Sequence, residues 1–188
     1  MKRIILGSNS PRRRELLSGL DLEFTVDART RFEEHYDPSM PHRKVPAAMA
    51  EGKSRGFHRP LEKDEILITA DTMVLVDGRM LGKPHSREDA AAMLHTLSGR
   101  RHEVITAVMI RDRERCELFE DSTLVTFRAL TEDEINYYID KYRPFDKAGA
   151  YGVQEWIGYT AITELQGSFY NVMGFPVHKV YEHLKNFL

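Results

Sequence analysis

The chain has 188 residues, enough for one domain with a sizeable core. Its 41% hydrophobic and 30% charged residues are those of an ordinary globular protein, and a net charge of −2 offers no basic face to a nucleic acid. A single cysteine, Cys116, excludes an internal disulfide and favours a reducing compartment.

The first ten residues hold too short an apolar core for a signal peptide. No apolar run approaches the roughly 20 residues that a membrane helix needs. A cytoplasmic chain with no membrane partner is expected. Arg3 to Leu6 reads as a buried first strand, and Gly7-Ser8-Asn9 as a tight loop. Ser10 stands as a helix N-cap with Pro11 at the first helical position. Phe24 to Val26 suggests a second strand. The charged segment Arg29 to Lys44, with Pro38 and Pro41, reads as a mobile functional loop. A helix follows from about Pro46 to Gly56.

Glu65 to Ala70 predicts a strand that ends at Asp71. Met73 to Val76, Asp77-Gly78 and Arg79 to Leu81 predict a hairpin. Ser86 caps a helix running to Ser98, closed by Gly99. His102 to Ile110 and Leu118 to Phe127 read as long strands. Thr131 and Glu134 form a capping box for a helix to about Tyr142. A strand from Thr160 to Leu165 and a last helix from Val177 complete an α/β pattern on a mixed sheet.

Four features carry chemistry. Ser8-Asn9-Ser10-Pro11 leads from a strand into a helix whose first turn holds Arg12, Arg13 and Arg14. Three cations oppose the helix dipole there, and a bound polyphosphate would reverse that penalty. The alternative is a solvated basic helix start. No Walker A pattern is present. Asp71, at a predicted strand end, could hold Mg²⁺ or orient a water; alone it could equally be a turn residue. Glu33 and Glu34 could add a second carboxylate from the charged loop. Lys53 and Lys83 matter only if they converge on Asp71 and the arginines. In the small-residue stretch 146–154, Gln154 offers a donor and an acceptor that match a uracil or thymine edge. The eight histidines are scattered, so zinc is not expected, and His102 reads as structural. Trp156 and the Tyr137-Tyr138 pair read as packing residues.

Taken together, SNSPRRRELL, ADTMVLVDGRMLGKP, LSGRRHEVITAV, DKAGAYGVQ and GSFYNVMGFP occur in the order seen in the Maf family of nucleotide pyrophosphatases, over nearly the whole chain. The resemblance implies one domain over 1–188, an elongated fold of two lobes on a twisted mixed sheet around a cleft, similar to the inosine triphosphate pyrophosphatases. It implies a divalent cation, Mg²⁺ or Mn²⁺, frequent homodimers, and cleavage of a nucleoside triphosphate to its monophosphate and pyrophosphate. Ser8, Arg12, Arg13 and Thr72 fall in its substrate-binding motifs. Asp71, Lys53 and Lys83 match its catalytic acid and lysines, and Asp71 with Glu34, in preference to Glu33, its metal-binding acids. Gln154 matches the branch acting on dTTP and UTP; a second branch acts on 7-methyl-GTP. Asn9 and the Glu155-Trp156 pair depart from the usual pattern, the latter beside the expected base pocket. Two other classes stay open: a nucleotide-binding regulator of septum formation without essential turnover, and a nucleic-acid-binding module using Arg12 to Arg14.

Overall fold

The computed structural model describes residues 2–188. The strands are β1 (Arg3–Leu6), β2 (Phe24–Val26), β3 (Glu65–Val76), β4 (Arg79–Leu81), β5 (Arg101–Arg111), β6 (Cys116–Phe127) and β7 (Ile162–Gln166). The helices are α1 (Pro11–Ser18), α2 (Val45–Arg55), α3 (Arg87–Leu97), α4 (Glu132–Tyr142), α5 (Trp156–Ala161), α6 (Phe169–Met173) and α7 (Val177–Leu184). Seven strands form one sheet in the order β2-β1-β3-β5-β6-β7, with β4 paired to β3. The sheet is mixed: β1 runs parallel to β2 and β3, whereas β3–β4 and β6–β7 are antiparallel. This is the α/β class expected, with helices flanking a mixed sheet. The chain divides into two compact units, residues 1–72, 106–121 and 174–188 in unit 1, and 73–105 and 122–173 in unit 2.

In unit 1, Ile4, Ile5 and Leu6 of β1 are buried beside Ile66, Leu67 and Ile68 of β3. The paired stretches are continuous apolar runs because a parallel strand covered on two faces has no solvent side. Helix α2 is tied to this layer at two points. The Thr69 hydroxyl on β3 donates to the Ala50 carbonyl at 2.7 Å. Arg111 donates to the Ser54 hydroxyl and carbonyl at 3.0 and 2.8 Å, placing a cation at the helix C-terminus, where the dipole favours it.

In unit 2, α3 packs against α4 and against a short 3₁₀ turn, Ala148–Ala150. Both helix starts are set locally. The Ser86 side chain accepts from the Asp89 N–H, and Thr131 and Glu134 form the expected capping box. Arg87 of α3 bridges to Asp140 of α4 at 2.8 Å.

Two expectations are corrected. β3 does not end at Asp71; it continues to Val76 as one twelve-residue strand. What ends there is its neighbour, because the last β1–β3 pair is Leu6 with Ile68. The segment from Trp156 to Ala161 is a helix, and β7 starts only at Ile162. Gly158 explains this: a Cβ there would lie 1.8 Å from the Val153 carbonyl oxygen, so the missing side chain lets α5 seat on that peptide. Helix α6 has no counterpart among the expected elements; its signal is Ser168, whose hydroxyl accepts from the Asn171 N–H at 3.3 Å.

Candidate active site

The loop after β1 is held close to β3. A Cβ at Gly7 would lie 2.8 Å from the Thr69 methyl, so glycine permits the approach. The Ser8 hydroxyl then accepts from the Ser10 N–H at 3.2 Å, and the Ser10 side chain caps α1 through the Arg13 N–H. Ser8, Asn9, Ser10 and Arg14 border a cavity of about 390 Å³ at this helix start.

Arg13 points the other way. Its Nε donates to the Gly174 carbonyl at 2.9 Å, Nη1 to the Ala70 carbonyl at 2.9 Å and to Ser8 Oγ at 3.3 Å, and Nη2 to Thr72 Oγ1 at 3.1 Å. Four of its five N–H groups are therefore committed. The Ala70 carbonyl can accept because β1 has ended two residues earlier. Burial lowers the Arg13 pKa, and the Asp71 carboxylate opposes that effect. Thr72 Oγ1 also lies 2.9 Å from Thr106 Oγ1. Arg13 is thus a strut joining α1, β3 and the backbone at Gly174.

On the other side of β3, α2 presents Lys53. Its ammonium lies 2.7 Å from Asp71 Oδ1 and 3.1 Å from Glu34 Oε1. Two carboxylates from separate parts of the chain thus share one lysine. Of the two candidate loop acids, it is Glu34 whose carboxylate reaches this cluster; Glu33 accepts from the His35 N–H through its backbone carbonyl. Ser8, Arg13, Glu34, Lys53, Asp71 and Thr72 all belong to unit 1. Arg12 lies there too, half-buried in the first turn of α1.

Lys83 and Gln154 belong to unit 2. Lys83 is exposed just after β4. The preceding carbonyl, of Gly82, accepts from the Gly149 N–H at 3.0 Å and ties this segment to the 146–154 stretch. Gly149 has φ +70, and Ala150, at φ +59, holds the same left-handed region without glycine's freedom. The half-buried Gln154 has its amide oxygen buried, with no hydrogen-bond partner among the described residues.

A family model described as "Maf-like protein" matches residues 3–187. The chain belongs to the Maf-like family. Three relatives span it almost end to end. A dTTP/UTP pyrophosphatase of Porphyromonas gingivalis is 52% identical over 98% of this chain and 94% of its own length. Those of Parabacteroides distasonis and Bacteroides thetaiotaomicron are 49% and 47% identical, over 98% and 97% of this chain and 96% and 94% of their own. A solved HAM1 protein from Coxiella burnetii, 12% identical with a TM-score of 0.48, covers 99% of this chain and 100% of that one, too loose a likeness to bear on function.

Within this Maf-like chain some residues do more than the sequence suggested. Tyr138, expected only to pack, is fully buried; its hydroxyl accepts from the Gly152 N–H at 2.9 Å and donates to the Glu155 carboxylate. Burial, then the Glu155 charge, pushes the Tyr138 phenol far above its usual range. Glu155 also meets the buried Lys147 at 3.2 Å. The unusual acid after Gln154 is thus turned inward and neutralised. The capping box shows in the sequence, but the inward turn of Tyr138 carries no local signal.

Proposed function

We propose that this Maf-like chain hydrolyses nucleoside triphosphates, dTTP and UTP ahead of others, to the monophosphate and pyrophosphate. The observation that carries the proposal is the Glu34–Lys53–Asp71 cluster beside the Ser8–Arg13 loop. The names of the dTTP/UTP pyrophosphatase relatives support it. A water oxygen attacks the α phosphorus, the bond from that phosphorus to the α–β bridging oxygen breaks, and pyrophosphate leaves. Asp71 orients the water and takes its proton. Lys53, Arg12 and the remaining N–H of Arg13 answer the charge that builds on the phosphate oxygens. Ser8 and Thr72 hold that arginine in place.

Hard cations such as Mg²⁺ are commonly held by one or two carboxylates together with substrate oxygens. Asp71 and Glu34 fit a cation bound in that way, and no group of three or more metal-ligating side chains is found among the described residues. Mg²⁺ or Mn²⁺ bound there would neutralise charge on the leaving pyrophosphate. Gln154 reads the base: its side chain turns so that the amide oxygen, which has no partner among the described residues, accepts the ring N–H of uracil or thymine while its NH₂ donates to the adjacent carbonyl. The cytoplasm is the proposed compartment, supported by the unpaired Cys116; among the described residues no helix is long and apolar enough to cross a membrane.

A panel of nucleoside triphosphates with Mg²⁺ or Mn²⁺, scored for pyrophosphate release, tests the proposal. Pyrophosphate from UTP and dTTP above CTP and GTP is expected. Binding without release would leave a nucleotide-binding regulator instead.

A further inference from the structure

The charged segment expected to be a mobile loop begins by docking on α2. Thr30 forms an antiparallel bridge with Phe57. The Arg31 N–H donates to the Gly56 carbonyl at 2.7 Å, and the His58 N–H to the Arg29 carbonyl at 3.2 Å. Thr30 Oγ1 accepts from the Phe32 N–H at 3.1 Å. Residues 29–32 therefore lie along the last turn of the helix.

Phe32 is what fits there. A Cβ at Gly52 would lie 2.4 Å from two Phe32 ring carbons, and one at Gly56 would lie 2.7 Å from Phe32 Cβ. These glycines are four residues apart and share a helix face. Neither needs glycine for its backbone, since Gly52 is helical and Gly56 has φ −79. Glycine inside a helix is less stable than alanine there. The Phe32 ring supplies the reason for bearing that cost. The next residue after Gly52 is Lys53, and two residues after Phe32 comes Glu34. The Glu34 side chain is 62% exposed, yet it meets Lys53 at 3.1 Å. An exposed glutamate is not held in place by its own packing.

We propose that Phe32 and its glycine seat on α2 are a positioning device: the ring fixes the charged segment so that the Glu34 carboxylate is delivered to Lys53 beside Asp71. This rests on the role given to Glu34 above. Without the seat, residues 31–36 lose their anchor and the carboxylate is spread over many positions, each of which must be ordered again before it can act.

Gly52→Ala expels the ring, and Phe32→Ala empties the seat without a clash. Each is expected to lower kcat by roughly tenfold or more, as misplaced groups do, with a smaller change in KM for UTP. Trypsin should cut faster after Arg29 and Arg31, while the melting temperature moves by only a few degrees, roughly. In a Glu34→Ala background, Gly52→Ala should add less than about a twofold loss, because both act through one group. Losses that multiply in the double variant would overturn the inference. So would wild-type kcat in both Gly52→Ala and Phe32→Ala when Glu34→Ala is impaired; the role of Glu34 would then stand and only the seat would fall. Wild-type kcat in Glu34→Ala would remove Glu34 from the reaction and the seat with it.

Discussion

Lys53 and Gln154 are both half-buried polar candidate site residues, and the two units treat them in opposite ways. In unit 1, Lys53 already holds Asp71 and Glu34, and Arg13 has committed four of its N–H groups. In unit 2, the Gln154 amide oxygen is buried and has no partner among the described residues. The contrast follows from the cost of leaving each group alone. A charge removed from water and left bare is expensive by several kcal/mol, so cations that serve a phosphate need counter-charges beforehand. A neutral amide oxygen left unsatisfied costs only about 1–3 kcal/mol, which a matching N–H can return on binding. Paired charges suit strength; a single open acceptor suits discrimination.

The comparison breaks most visibly at Asp71. Asp71→Asn keeps the shape but removes the charge that balances Lys53 and takes the water's proton. Stopped assays of pyrophosphate release should show kcat reduced by roughly 10²–10⁴-fold, the usual worth of a positioned base, with an unchanged circular dichroism spectrum. Turnover close to wild type would take Asp71 out of the reaction. Arg13→Ala comes next, and its effect should be on the fold as well as on the rate. Losing the strut strands the Ala70 and Gly174 carbonyls and should cost about 3 kcal/mol. That is a drop in melting temperature of roughly 6–12 °C. Arg13→Lys should not rescue it, because an ammonium cannot reproduce the fork. Arg14, exposed at the cavity rim, should move the melting temperature by less than roughly 2 °C when changed to alanine.

Gln154→Ala sharpens the other half of the comparison. Cytosine has no ring N–H to meet the amide oxygen, so the mismatch should cost about 1–3 kcal/mol, or roughly ten- to a hundredfold in kcat/KM. The variant should lose the preference for UTP over CTP and keep most of its rate on CTP. An unchanged ratio would place base reading elsewhere.

How much of this was legible depends on the distance in sequence over which each feature is set. The caps at Ser10, Ser86 and Thr131 act within three residues and could be read directly. Asp71 stood out through the order of the motifs, and Lys53 through its match to a family lysine. Their meeting depends on the Thr69–Ala50 bond across nineteen residues, which no local pattern encodes. Asp71 looked like a strand end because an acid interrupts an apolar run; sheet pairing carried β3 through it. The structural half of Arg13's role was hidden because its partner at Gly174 lies 161 residues away. Phe32 carried no signal at all, since its seat exists only once α2 and the loop are in contact.

The effect with the most gradual onset concerns the histidine behind the base-reading segment. His102 of β5 is buried in unit 2, with Nε2 2.6 Å from the Tyr151 hydroxyl, and its ring meets Phe127 and Tyr151 edge to face. Burial alone lowers its pKa to about 4. The folded protein therefore keeps His102 neutral while the unfolded chain protonates it near its ordinary value of about 6.5. Between those two pH values the unfolded state binds more protons, so stability falls as pH drops from about 6.5 to about 4. A full shift of that size is worth about 3 kcal/mol, reached only at the lower end. Tyr151 sits three residues before Gln154, so the local consequence should be felt there first. Protonation would put a positive charge against a buried phenol, loosening the segment that carries the amide. Melting curves from pH 7 to pH 4 should show the loss in wild type and a flatter dependence in His102→Gln, whose side chain does not titrate. The UTP-to-CTP ratio in wild type should fall over the same interval. A wild-type stability profile that stays flat from pH 6.5 to pH 4 would mean that His102 gains its proton as readily in the fold as outside it.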